Sequence, residues 1–220
     1  MRFRTVVAAS TLACLMFTAT SARADVMLDP TAVTTNMGQA GHSNIDNIIN
    51  QSGLSAPYTS GVTDFATYTA SATSAIATQS NSWASATNTT TGNVDFTLGG
   101  PTTIDNFALW NDTDFFAVQD FTLLASVDST FTMTTTLGSF TATHFGNNDA
   151  VVAQDFSFAA TTASYVRMEI TSNYGQVDTE FGEAAFGEIL SVPEPSKLTM
   201  LAIGIASILG FRLRRRPSAS

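Results

Sequence analysis

Between Val94 and Leu190 apolar and polar residues alternate with a period of two, a pattern that suits half-buried strands and disfavours amphipathic helices. The repeating segments are VDFTLG (Val94 to Gly99), TIDNFALW (Thr103 to Trp110), FAVQDFTLLASV (Phe116 to Val127), LGSFTAT (Leu137 to Thr143), VVAQDFSFA (Val151 to Ala159), YVRMEITSNY (Tyr165 to Tyr174) and AAFGEIL (Ala184 to Leu190). All are rich in Phe, Thr or Val, and turn-forming stretches separate them: GGP at Gly99 to Pro101, NDTD at Asn111 to Asp114, GNND at Gly146 to Asp149. Strand-length runs at this spacing predict an all-β sandwich. No long helix is expected; NIDNIINQSG (Asn44 to Gly53) suits one or two turns.

The two ends of the chain read differently. MRFR is a basic n-region, TVVAASTLACLMFTAT an apolar h-region, and Ala22-Arg23-Ala24 a small-x-small cleavage site, so residues 1–24 read as a secretory signal peptide cut before Asp25. Cys14 lies within the apolar run, and the segment after it contains no cysteine, so the exported domain must hold together without disulfides. At the other end, residues 191–220 carry SVPEPSKL, an uncharged run of 14 residues from Leu198 to Phe211, and the cluster Arg212, Arg214, Arg215, Arg216. The run is short against the roughly 20 apolar residues that cross a bilayer, and its basic flank predicts a cytoplasmic C-terminus. Pro193 and Pro195 deny the backbone donors a helix or sheet needs, which keeps Glu194 extended and accessible.

Pro193-Glu194-Pro195, a short hydrophobic helix and an arginine cluster, in that order, resemble the PEP-CTERM sorting signal of Gram-negative bacteria. The resemblance implies recognition and removal of the tail by an exosortase-type membrane transpeptidase. It also implies transient residence in the inner membrane, then delivery to the cell surface or extracellular matrix.

Residues 25–190 form the domain between these signals. From Asp25 to Val192 the chain holds 17 acidic residues against Arg167 alone, a net charge near −16. Nucleic acid is excluded as a partner, since a polyphosphate needs a basic footprint. His42 and His144, the only histidines, have no partner at metal-ligand spacing and read as loop or edge residues. No GxSxG elbow and no GxGxxG loop occur, and carboxylate pairs among Glu180, Glu183 and Glu188 are of the kind any acidic domain offers by chance. No enzymatic activity is expected.

A second resemblance covers about Ser80 to Ile189. Trp83, Phe96 to Gly99, Ile104 to Trp110, Val118 to Asp128, Ser164 to Ile170 and Gly182 to Phe186 follow the running pattern of the discoidin or F5/8 type C family, also called galactose-binding-like. That implies an eight-stranded jelly-roll β-sandwich, with Trp83 and Trp110 as core anchors. Ser164 and Gln119 stand where the family has basic residues, which weakens any ligand mode built on cationic contacts. The family's structural Ca²⁺, carried over, would use Glu183 as the late ligand with Asp46 and Asp64 from early loops. Its usual carbohydrate function would use exposed aromatic rings, for which Tyr58 and Tyr174 are the candidates, with exopolysaccharide as the ligand. The favoured expectation is an exported non-enzymatic protein with a structural or adhesive role; the alternative is a specific carbohydrate-binding module, and an extracellular hydrolase stands third.

Overall fold

The computed structural model describes residues 23–191 except 42, 76–79 and 147–148. Ala22, His42, Pro193, Glu194, Pro195, Arg212, Arg214, Arg215 and Arg216 lie outside the described residues. Among the described residues ten strands run in chain order: β1 (Arg23–Leu28), β2 (Ala32–Thr35), β3 (Thr73–Ser74), β4 (Trp83–Ala84), β5 (Gly92–Asn111), β6 (Asp120–Ser126), β7 (Thr135–Thr141), β8 (Val151–Val152), β9 (Gln154–Ile170) and β10 (Glu180–Ser191). The helix α1 (Phe65–Thr69) is capped by Asp64, whose Oδ1 accepts the Thr67 N–H at 2.8 Å. A 3-10 turn at Ile45–Ile49 fills the place where one or two helical turns are expected. Among the described residues no helix is long and apolar enough to cross a membrane.

Eight strands form one antiparallel sheet with the path β1-β10-β5-β9-β6-β7, β2 pairing with β5 and β4 with β10; β3 and β8 pair separately. The sheet folds over itself because its two longest strands bend. In β5, Leu98 to Pro101 intervene between the pairs Thr97↔Tyr165 and Thr102↔Ala163; in β9, three residues separate the pairs Ile104↔Thr161 and Asn106↔Ser157. Gly99, at φ +83, supplies a backbone conformation other residues resist. The first half of β5 therefore lies in a β2-β5-β9-β6-β7 layer, and its second half in a β1-β10-β5-β9 layer. Phe96 against Phe186 at 5.5 Å and Phe107 against Phe121 at 6.0 Å join the layers across a common core.

Two expected strands are thus one: the GGP stretch is a corner within β5, not a hairpin turn. Likewise most of Val151 to Ala159 and Tyr165 to Ile170 belongs to β9. The second layer is also buried on its outer face. There Met27, Ala108, Trp110 and Ala185 pack against Tyr58, Phe65 and Tyr68 of the segment that carries α1. This accounts for the unbroken apolar run Phe107–Trp110, since a strand covered on both sides has no polar face to show. Trp83 and Trp110 are fully buried core anchors, with indole N–H groups donating to the carbonyls of Gly38 at 2.9 Å and Ala72 at 3.0 Å.

Candidate functional site

At the end of the sandwich where β5 finishes and β10 begins, three loops meet. Asn111, fully buried, ties two of them together: its amide donates to the carbonyls of Val118 at 2.8 Å and Thr143 at 3.1 Å, and its Oδ1 accepts the Val118 N–H at 3.0 Å. The Gln154 side chain clamps Thr143 through both its N–H, at 2.6 Å, and its carbonyl, at 2.7 Å. The Asn173 amide holds the carbonyls of Gln176 at 3.0 Å and Asp178 at 2.7 Å. Loops with their backbone groups satisfied in this way are held in one shape.

On that frame sits a row of rings. Tyr174, half-buried, donates its hydroxyl to the Ala142 carbonyl at 2.6 Å and lies 4.4 Å from the His144 ring; His144 lies 5.6 Å from Phe115. Phe115 is 50% exposed and Val177, one residue past Gln176, 51%; the Gln176 N–H reaches the Phe115 carbonyl at 3.4 Å. An exposed phenyl ring anchored at both flanks is a preorganised stacking surface.

Carboxylates stand beside it. Asp112 is buried, and burial, reinforced by Glu180 and Asp114, pushes its carboxyl up to about 8, against a hydrogen bond from the Thr113 N–H at 2.6 Å. Burial likewise raises Glu180, opposed by the Ser82 hydroxyl at 2.6 Å and reinforced by Asp178. Asp178 is raised by burial, and its Oδ1 is buried with no hydrogen-bond partner.

The expected site residues fall in separate places. Tyr58 is 7% exposed, not a surface contact: its ring packs edge-on to Tyr68 at 5.1 Å and its hydroxyl donates to Asp29 at 3.2 Å. Burial and then the Asp29 charge hold the Tyr58 hydroxyl well above its usual range. Tyr174 alone of the pair belongs to the loop end. Of the expected calcium ligands, Asp46 and Asp64 are exposed, the first on the 3-10 turn and the second occupied as the α1 cap. Among the described residues no three His, Cys, Asp or Glu side chains gather to hold a metal, so the set Asp46, Asp64, Glu183 does not form. Glu183 by itself has the chemistry of a ligand. It is fully buried, Oε2 accepts the Gln51 N–H at 2.9 Å, and Oε1 is without a partner. Burial, then the charge of Asp29, pushes it up to about 9. Phe115 and His144 escape a reading of the sequence for different reasons: Phe115 adjoins an expected strand start at Phe116, and His144 lacks a metal-site partner. The usable signal is an aromatic pair placed directly after the turn residues NDTD.

The fold is thus a two-layer β-sandwich whose loop end presents aromatic rings beside carboxylates. The chain belongs to the F5/8 type C domain family, which it matches over residues 58–182, more than half its length. No curated relative matches it. Among solved structures it is similar to a truncated AlyQ with CBM32 and alginate lyase domains, at 18% identity and a TM-score of 0.51 over 77% of this chain, which spans only 34% of that one. It is also similar to a selenomethionine-labelled mutant of chitosan-binding module 1 from a chitosanase/glucanase of Paenibacillus sp. IK-5, at 19% identity and a TM-score of 0.50, covering 76% of this chain and 99% of that one. At these identities the likeness is one of fold.

Proposed function

We propose that this protein is an exported, non-enzymatic polysaccharide-binding protein whose sandwich takes a glycan on the Phe115–His144–Tyr174 row. The observation that carries the reading is Phe115, a half-exposed ring that packs beside His144 on hydrogen-bonded loops. Sugar rings offer apolar C–H faces that stack on aromatic rings, while rim carboxylates and amides accept their hydroxyl hydrogens. Membership of the F5/8 type C family, and the binding-module names carried by structures of the same fold, support carbohydrate recognition over a purely structural or adhesive role.

Affinity electrophoresis of the full-length chain through gels containing a panel of neutral, cationic and acidic polysaccharides tests this. At least one polysaccharide retards the wild type, and the Phe115→Ala, Tyr174→Ala double variant runs free on it. A wild type unretarded on every gel, or a double variant retarded equally, overturns the reading.

A further inference from the structure

We propose that the open side of the sandwich along β7 is an interface with a second copy of this chain, in which β7 pairs antiparallel with itself. β7 is the last strand of the sheet path, and no described strand lies beyond it. The Ala142 N–H donates to the Gln119 carbonyl at 2.8 Å, and the register continues with Asp120↔Thr141, Phe121↔Phe140 and Thr122↔Ser139. Bonded pairs alternate along an antiparallel ladder, so Phe140 turns its backbone groups to β6 whereas Ser139 and Thr141 turn theirs outward. The opposite edge of the sheet is closed. There the Met27 N–H reaches the Thr63 carbonyl and the Gly61 N–H the Met27 carbonyl, both at 2.8 Å.

The core is uncapped on the β7 side. Phe140 on β7 and Phe156 on β9 meet across the layers at 5.3 Å, and these rings, with Leu137 and Phe158, are only half-buried. Charge is missing there too: none of the 17 acidic residues between Asp25 and Val192 falls in 129–143 or 156–166. Two domains near −16 repel, and an uncharged seam is where like copies can touch. β7 also has none of the lysines or prolines that guard exposed edges. A bulge at Leu137, between Leu123↔Gly138 and Leu124↔Thr136, limits the straight edge to residues 138–141. That stretch is self-complementary. With Phe140 on the two-fold axis, Ser139 lies opposite Thr141 of the other copy and each exchanges both its main-chain bonds. The two Phe140 side chains then meet at an unbonded pair, where Cβ atoms approach to about 4.5–5.5 Å, and each covers the other's exposed side. β7 runs toward the Phe115–His144–Tyr174 row, where the Tyr174 hydroxyl bonds the Ala142 carbonyl at 2.6 Å, so antiparallel copies point their rows in opposite directions.

The test joins sedimentation velocity of the full-length chain in mild detergent, from about 1 to about 100 µM, with residue-resolved hydrogen exchange on the same samples. A dimer is expected to form as concentration rises and to tighten as NaCl screens the repulsion between copies. In the dimer the Ser139 and Thr141 amides should exchange about tenfold or more slowly than in the monomer, with the Phe140 amide slow in both. Ser139→Pro removes one outward N–H and leaves the main-chain bonds to β6 in place. It should therefore raise the dimer dissociation constant about tenfold or more, with a melting temperature near that of wild type. A monomer throughout overturns the inference, whether its two amides are fast or are slow because the same chain already covers them. A dimer in which both amides stay fast overturns it as well, since another surface then makes the contact, as does a dimer that Ser139→Pro leaves intact. Should Ser139→Pro unfold, exchange in the wild type still decides.

Discussion

Single residues carry the sharpest consequences of this acidic interior. Asp112 has its folded value raised to about 8 from an ordinary value near 3.8, so the native state holds its proton more tightly than the unfolded chain. The stability this contributes is complete below the unfolded value and is lost as pH rises through about 8. Asp112→Asn keeps an oxygen for the Thr113 N–H and has no charge to bury. Thermal melts should therefore show the variant level with wild type near pH 4 and roughly 5 °C above it at pH 8. Glu183 poses a related problem, since its Oε1 is buried without a hydrogen-bond partner among the described residues. A hard cation satisfies such an oxygen directly. Adding Ca²⁺ to chelator-treated protein is expected to raise the melting temperature of wild type and not of Glu183→Gln. An unchanged melt in both would leave the proton as the only group neutralising this carboxyl.

At the scale of elements, the corners of β5 and β9 make a sandwich out of one sheet. Gly99 sits at the β5 corner, and a Cβ there would fall 3.0 Å from Thr31 Cγ2 at a positive φ. Gly99→Ala is accordingly expected to cost about 1–2 kcal/mol in denaturant unfolding, whereas Gly61→Ala, also at positive φ but in open space, should cost less. This corner also marks where reading the sequence stops working. Alternation along VDFTLG and TIDNFALW identifies the strands correctly, but GGP is compatible equally with a hairpin and with a bend. Only the partner strand, with three residues between its own pairs in β9, decides for the bend. β1 escapes notice because its first residues, Arg23 and Ala24, fall in the stretch read as a cleavage site, and α1 because its five residues are too few to show a helical period. Trp83 and Trp110 are legible as core through the family's running pattern, and Trp110 also through its place in TIDNFALW. Tyr58 is misread because APYTSG looks like a surface loop, while the outer face of β1, β10 and β5 needs a cover and takes that ring.

The whole molecule is governed by charge and by where its chain ends up. With a net charge near −16 between Asp25 and Val192, self-repulsion opposes compaction, so raising NaCl from about 0.01 to 0.5 M should lift the melting temperature by a few degrees. A flat dependence would show that the carboxylates are already neutralised. Intact mass spectrometry of the protein from its host's outer-membrane and extracellular fractions is expected to give a species from Asp25 to near Pro195. A mass retaining Leu198 to Ser220 would refute tail removal.

The rings of the loop end lie where β10 starts, beside Phe181↔Asn111, while Ser191 leaves the far end opposite Arg23, about 30 Å away at a strand's rise per residue. β10 is also an inner strand, laced to β1 along Phe186–Ser191 and to β5 along Phe181–Glu188. A pull between a bound polymer and Ser191 would run along this strand and load its cross-strand bonds in shear, together, instead of peeling them one at a time. Along this line the fold would resist separation of its two ends better than across it.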